Sequence, residues 1–288
     1  MFDVKNVLSK FRSNQLKGGS IVITGAAQGF GRAIAEKFAQ AGWSVGAYDV
    51  DVARLSDWAE SAANVTWGEL DVRDADAWQR TLEEFAESHG GAINVVVNNA
   101  GVLYSGDFVE KGSFDADARL VDINVKGVLF GARAAFPYLK KAASRQGGNG
   151  VRGAHLVNLC SASAIYGTPD MATYSATKFA VRGISEALEV EWDGHGVQVS
   201  DIIPLYVKTG MLENEHTVGM DRLGVQKTPE DVADVVFKVV TRGRGVPAKV
   251  HNPVGAQPGF LLNASFMSPA FLTRFVNGKL VYEKKVRF

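Results

Sequence analysis

The chain has 288 residues, 46% of them hydrophobic, and its 31 basic and 31 acidic side chains leave no formal net charge. That length allows one large α/β domain or two small ones, and the balanced charge gives no footprint for nucleic acid or for anionic membranes. Cys160, the one cysteine, excludes an internal disulfide; MFDVKNVLSKFRSNQLK at the start lacks the apolar run of a secretory signal, and no stretch of 18 apolar residues exists, so a cytoplasmic protein with no integral membrane span is expected.

Short β-branched runs alternate with helical patterns along the chain. At the start Val4, Val7, Leu8 and Phe11 follow helical spacing, which predicts a short amphipathic extension over 1–17. Strands are predicted at 20–24 (SIVIT), 44–49 (SVGAYD), 64–70 (NVTWGEL), 93–99 (INVVVNN), 154–159 (AHLVNL), 197–203 (VQVSDII) and 248–250 (AKV). Between them helices are predicted over about 31–41, 51–62, 74–89, 114–143, from Tyr174 to about Trp192, and 228–241, with Gly127 and Gly131 interrupting the long one. SRQGGNGVRG (144–153) reads as a surface loop. This alternation predicts an α/β chain with one doubly wound parallel sheet, Rossmann-like, as a single dinucleotide-binding domain over 18–250. Residues 251–288 form an apolar C-terminal extension carrying Phe260, Phe266, Phe271 and Phe275, for which packing on the domain, a subunit seam, a lid and a membrane surface are all open.

TGAAQGFG (24–31) lies between the first strand and the first helix. Gly25 permits the tight turn, and Gly29 and Gly31 let backbone approach a phosphate and helix approach sheet, with Gln28 and Phe30 in the same turn. The helix N-terminus offers free N–H groups to a pyrophosphate. Lys followed by Ser/Thr is missing after Gly31, which excludes a nucleoside triphosphate loop. Asp49 ends the second strand 24 residues after Gly25, where a carboxylate accepts hydrogen bonds from ribose hydroxyls and repels a 2′-phosphate. NAD is therefore favoured over NADP, with Arg32 and Arg54 the cations that would have to turn inward for the phosphate. Asp71 and Val72 end the third strand where an adenine edge can be met, although Asp71 also suits a helix cap, in competition with Asp74.

Tyr174 and Lys178 stand four residues apart in T-Y-S-A-T-K, on one face of the expected helix. An unperturbed phenol, with a pKa near ~10, exchanges protons poorly at neutral pH. A neighbouring ammonium favours the phenolate, so the pair predicts a general acid or base for an alcohol or carbonyl. The same stretch also reads as the S-x-x-K of acyl-serine enzymes, with Ser175 as nucleophile, but neither S-D-N nor K-T-G accompanies it. Cys160 has no paired cysteine and the histidines have no H-x-x-x-H spacing, so a metal site is not expected.

Together these residues resemble the short-chain dehydrogenase/reductase family over about 18–250. The likeness rests on TGAAQGFG, N-N-A-G (98–101), N-V-K-G (124–127), Ser161 after a strand, and Tyr174 with Lys178, Ser161 preceding Tyr174 by 13 residues. The resemblance implies that Tyr174 moves the proton, that Lys178 lowers its pKa and holds the nicotinamide ribose, that Ser161 binds the substrate oxygen, and that Asn124 holds a water linking Lys178 to solvent. It implies that Asn98, Ala100 and Gly101 line the cofactor, and that Pro204, Val207 and Thr209 lie beside the nicotinamide. From the residues alone, Asn98 and Asn99 also suit a turn, Asn124 a helix kink, and Ser161 a cap, with Ser163 its rival. One departure is plain: P-L-Y-V-K-T (204–209) has Leu205 where the family commonly has glycine, which puts Tyr206 near the site.

The implied activity is hydride transfer between NAD and a secondary alcohol or ketone, the alternative being an NAD-binding sensor without turnover. Leu103, Tyr104, Phe108, the segment 162–166, Tyr206 and Met211 are the expected pocket, which suggests a hydrophobic or aromatic small-molecule substrate. The family resemblance also implies a homodimer or homotetramer through the long helix and the Tyr174 helix, with Ala132, Ala134, Ala135 and Phe136 as seam candidates.

Overall fold

The computed structural model describes residues 19–144, 154–207, 224, 227–242 and 249–267. The expected N-terminal helix, most of the 144–153 loop, Thr209, Met211, Phe271 and Phe275 lie outside the described residues.

Seven parallel strands form one sheet in the order β3-β2-β1-β4-β5-β6-β7. They are β1 (Ser20–Thr24), β2 (Ser44–Asp49), β3 (Val65–Glu69), β4 (Val95–Asn98), β5 (Ala154–Leu159), β6 (Val197–Ile203) and β7 (His251–Pro253). Helices α1 (Gly29–Gln40), α2 (Val52–Ala59), α3 (Ala75–Glu87), α4 (Phe114–Val121), α5 (Gly127–Ser144), α6 (Ala172–Asp193), α7 (Pro229–Val240) and α8 (Ala256–Met267) complete the described elements. The central strands are buried on both faces, and side chains alternate between two cores. Ile21, Ile23, Val95 and Val97 pack with Phe38, Trp43 and Val236, while Val22, Val96 and Leu156 pack with Trp78, Leu82 and Leu139. Strand order reverses at β1, so a crevice opens at the carboxyl ends of β1 and β4.

Three boundaries depart from expectation. The last strand is His251–Pro253 rather than 248–250, because β6 pairs Asp201 with His251 and the chain enters the sheet only there. The long helix is broken into α4, a π-helical turn over Asp122–Lys126 and α5. Helix α8 has no sequence forecast, because its apolar residues are spread around the helix instead of forming one stripe.

Gly131 marks where α5 presses on the sheet. A Cβ there would stand 2.2 Å from Asn98 Oδ1 and 2.7 Å from Trp78 Cζ2, both in buried residues. Alanine gains about 1 kcal/mol of helix propensity over glycine, but overpacking a core costs about 1–3 kcal/mol. Trp78 is fully buried where its helix α3 meets α5, so the cost should prevail and Gly131→Ala should lower unfolding free energy by a net ~2 kcal/mol at most, read from urea denaturation. Unchanged stability would show that α5 shifts freely.

Candidate active site

The first wall of the crevice is the turn from β1 to α1. Gly25 and Gly29 adopt φ of 66° and 58°, open to glycine at no steric cost. A Cβ on Gly31 would sit 2.1 Å from the Gly25 carbonyl oxygen, and one on Gly25 would sit 2.8 Å from Ala100 Cα. Gln28 stands at the N-cap of α1 without capping it; its side-chain oxygen instead accepts from Arg54. The first N–H groups of α1 therefore remain for a ligand. This is a backbone cradle that any side chain would fill, and it fits a dinucleotide phosphate.

Beside it lies a cavity of ≈ 480 Å³ whose walls include Gly25, Gln28, Gly29, Phe30, Asp49, Asp71, Val72, Ala100 and Gly101. Asp49 is fixed at its rim: Oδ2 accepts from Ala27 N at 2.9 Å and Oδ1 from Asp51 N at 3.0 Å. Of the two arginines weighed from sequence, neither lines the cavity; Arg32 pairs with Glu36 at 2.8 Å, and Arg54 with Gln28 and Asp51. Arg73 and Arg119 line it instead and were missed. Arg73 forks onto both oxygens of Asp71 at 2.6–3.0 Å, which holds that carboxyl below its ordinary pKa. Asp71 is thus not the helix cap; Asp74 caps α3 by accepting from Asp76 N and Ala77 N.

Asn98 requires a correction. Its side chain follows the parity of Val96, not Val97, and turns away from the cavity into the α5 core. There Nδ2 donates to Asn158 Oδ1 at 2.9 Å and to Val128 O at 3.3 Å, while Oδ1 has no partner among the described residues. Asn99 faces the crevice instead. Its Nδ2 donates to the Thr24 and Gly25 carbonyls at 2.8 and 3.0 Å and ties β4 to the glycine turn. Strand alternation carried this signal in the sequence, since consecutive residues of a strand face opposite sides.

A second cavity, ≈ 90 Å³, shares Phe30, Asn99, Gly101 and Val102 with the first and continues to Ser161, Tyr174 and Lys178. Tyr174 and Lys178 come from the first two turns of α6, and Ser161 from the end of β5. Ser161 and the Tyr174 phenol both line this cavity, and Ser161 acts to lower the phenol's pKa. Ser161 is also a cap, accepting from Ser163 N at 3.1 Å. Lys178 is buried; Nζ donates to the Leu159 carbonyl at 2.9 Å and lies 5.6 Å from the Tyr174 ring centroid.

Electrostatics in the site run opposite to expectation. Burial pushes the Tyr174 phenol up to about 12, the Ser161 hydrogen bond pulls it back, and the lysine does not dominate. Burial also lowers the Lys178 pKa, which weakens the cation at its source. Desolvation is the largest cause for both groups.

Asn124 sits in the π-helical turn, fully buried, and clamps the backbone of Val102. Oδ1 accepts from Val102 N at 2.8 Å, and Nδ2 donates to Val102 O at 2.9 Å and Thr177 Oγ1 at 3.2 Å. The π-turn places this side chain against the Val102 segment, and such bulges are common at functional sites. Of the remaining expectations, Pro204, Leu205, Tyr206 and Val207 all line the smaller cavity. Leu205 does so without a left-handed φ. Leu103, Ala162, Ser163 and Tyr166 also line it, but Tyr104 and Phe108 do not: Tyr104 donates to the Lys111 carbonyl and Phe108 is exposed. Thr168 and Met171, which sequence did not single out, complete the wall.

The acyl-serine and thiol readings find no geometry among the described residues. Ser175 is buried outside both cavities, with Oγ accepting from Thr168 N at 3.0 Å. Burial holds the Cys160 thiol up at about 12, a protonated, unreactive state. Among the described residues no three His, Cys, Asp or Glu gather as a metal site, and no helix is long and apolar enough to cross a membrane.

A profile of short chain dehydrogenases matches residues 20–218, the span that builds both cavities. The chain belongs to the short-chain dehydrogenase family. The 3-oxoacyl-(acyl-carrier-protein) reductase FabG of Thermotoga maritima is 31% identical over 234 residues, 77% of this chain and 90% of that one. A short-chain dehydrogenase/reductase from Burkholderia phymatum in complex with NAD superposes with a TM-score of 0.71 at 27% identity, covering 86% of this chain and 92% of its own. One from Burkholderia cenocepacia in complex with NADP shares the fold at 23% identity, with a TM-score of 0.73 and 92% and 98% coverage. As a member of this family the chain is an NAD(P)-dependent oxidoreductase, and its fold and cavities are those of a nucleotide-binding enzyme.

Proposed function

We propose that this dehydrogenase transfers hydride between NAD and a hydrophobic or aromatic secondary alcohol or its ketone. The observation that carries the reading is the convergence of Tyr174, Ser161 and Lys178 on a mostly apolar cavity that opens directly into the dinucleotide crevice. The cofactor, when bound, supplies the hydride acceptor or donor. The glycine turn and the N-terminus of α1 suit its phosphates, Asp49 its adenosine ribose, and Pro204 and Val207 the neighbourhood of its nicotinamide. Ser161 orients the substrate oxygen toward the phenol of Tyr174, which takes or returns the hydroxyl proton. Lys178 supplies positive charge beneath that phenol, and Asn124 holds the Val102 segment that forms the shared wall.

The test is reduction of NAD and NADP in parallel with a panel of secondary alcohols running from small aliphatic to aryl and polycyclic. Turnover with NAD on bulky alcohols is the expected result, and turnover restricted to small polyols would sink the substrate reading. NADH binding without turnover across the panel would favour a sensor.

Asp49 carries the preference for NAD. Its carboxylate is fixed by two backbone N–H groups and so presents a stationary charge against a 2′-phosphate. Asp49→Ala combined with Val50→Arg should move the NADP to NAD ratio of kcat/KM upward by ~10-fold or more, since one charge exchange is worth a few kcal/mol at short range. Steady-state kinetics with both cofactors reads this, and an unmoved ratio would remove Asp49 from the selectivity.

We also propose a homodimer or homotetramer through α5 and α6. The seam candidates change: Ala132 and Ala135 are core residues and Phe136 packs on Trp192, whereas Leu129, Phe179 and Val190 present apolar surface on those helices.

A further inference from the structure

The smaller cavity is apolar on most of its wall, contributed by Leu103, Tyr166, Met171 and Leu205, and its reacting end is served by Ser161 and Tyr174. One further pair of hydroxyls lines it: Ser163 and Thr168. Ser163 is 8% and Thr168 3% exposed, and their oxygens are 3.3 Å apart. Whichever hydroxyl donates in that contact, two O–H protons share one bond, and the other proton has no acceptor among the described residues. Because both hydroxyls line the cavity, that proton is available to a ligand, and a ligand that covers it without accepting it costs about 1–3 kcal/mol, which makes the pair a recognition element. The pair is also built firmly. Ser163 N donates to Ser161 Oγ at 3.1 Å, Thr168 N donates to Ser175 Oγ at 3.0 Å, and Met171 N donates to Thr168 O at 3.1 Å. Ser163 thus stands next to the residue that orients the reacting oxygen.

Resting on the oxidoreductase reading above, we propose that the Ser163–Thr168 hydroxyl pair selects substrates carrying a second oxygen on a carbon adjacent to the carbinol or ketone, or one carbon further, within an otherwise apolar body. Ser161 and Tyr174 take the oxygen that reacts. The proton left over on the hydroxyl pair is donated to the second oxygen, which does not react. A substrate lacking that oxygen leaves the donor buried and unpaired, and a site that hydrogen-bonds a substrate group discriminates against analogues without it far more strongly than a purely apolar wall discriminates by size.

The experiment compares cyclohexanol with cis-1,2-cyclohexanediol, which share a ring and differ by one hydroxyl, using NAD and the full-length chain. Wild type should oxidise the diol with kcat/KM higher by about 10-fold or more, mainly through KM. The double variant Ser163→Ala, Thr168→Val keeps the Ser163 backbone donor to Ser161 and the approximate volume at Thr168. In it the diol-to-cyclohexanol ratio should fall toward one. Equal kcat/KM in wild type, or a ratio that survives in the double variant, overturns the proposal. If wild type oxidises neither alcohol, the oxidoreductase reading fails for this class. The proposal is then decided by saturation-transfer NMR with the same two compounds: a diol signal stronger than that of cyclohexanol and lost in the variant supports it, and equal signals overturn it.

Discussion

Tyr174→Phe should reduce kcat for alcohol oxidation by about 10²–10⁴-fold while NADH still binds. The substitution removes one oxygen, that of the phenol standing with Ser161 at the reacting end of the cavity. General acid–base catalysis by a positioned side chain contributes about 10²–10⁴-fold; of the other titratable side chains lining the cavity, burial holds Cys160 and Tyr166 protonated and Lys178 donates to Leu159, which leaves Tyr206 as the one remaining phenol among the described residues there. The ring itself remains, so the wall of the cavity and the cation above it are preserved. Rapid-mixing kinetics and NADH fluorescence separate the two effects. A mutant with wild-type kcat would place the proton transfer elsewhere.

The pH dependence of the wild-type reaction follows from the same group. Oxidation uses the phenolate, and burial pushes the phenol upward to about 12. The rate of alcohol oxidation should therefore increase as pH rises toward that value, whereas ketone reduction, which uses the protonated phenol, should not gain. An acid optimum for oxidation would contradict the assignment of Tyr174 as base.

His251→Ala should destabilise the fold by about 3 kcal/mol, since breaking a buried charged pair by removing one partner costs ~3–5 kcal/mol. His251 begins β7 and joins that strand to the centre of the molecule. Nδ1 meets Asp201 Oδ2 at 2.8 Å and Nε2 meets Glu186 Oε1 at 2.9 Å. Asp201 is fully buried in β6, and its other oxygen has no partner among the described residues. Removing the imidazole strands that carboxyl entirely. His251→Gln, which retains a donor toward Asp201, should recover part of the loss. Equal stability of wild type and the alanine variant in urea would mean that Asp201 is already neutral.

The pair also predicts a direction with pH. The hydrogen bond that His251 donates to Asp201 raises the His251 pKa above its ordinary value, while burial raises that of Asp201. Glu186 adds to the His251 shift and Arg182 opposes it. The folded state therefore holds protons more tightly than the unfolded one. For a histidine raised by its partner, the stabilisation is complete below about pH 6.5 and is lost as pH rises through the folded pKa. Unfolding free energy should fall across that range in wild type, and His251→Ala should flatten the slope.

The placement of Asn124 and of the substrate wall shows why part of the site resisted reading in sequence. Motif spacing identified Asn124, but its location inside a long apolar helix gave no hint that a π-turn would direct it onto Val102. Thr168 and Met171 lie between β5 and α6 with no regular pattern, and their arrival at the cavity depends on how that loop folds over Ser161. Asn98 and Asn99 illustrate the finer limit: the motif N-N-A-G marked the right corner, and only the strand parity assigned the two side chains to opposite faces.

By itself the sequence determined the parallel α/β architecture, the glycine turn and the placing of Tyr174 and Lys178 on one helix face, because these rest on local rules: periodicity of two or 3.6, glycine where a Cβ would collide, and an i, i+4 pair on one helix; Ser161 came from the spacing of the family the chain resembles. The tertiary structure alone decided the entry of β7 at His251, the cavity facing Ser163 and Thr168, and the direction of the Tyr174 shift. Each of these depends on which groups distant in the chain exclude water from one another, a quantity that no local pattern encodes.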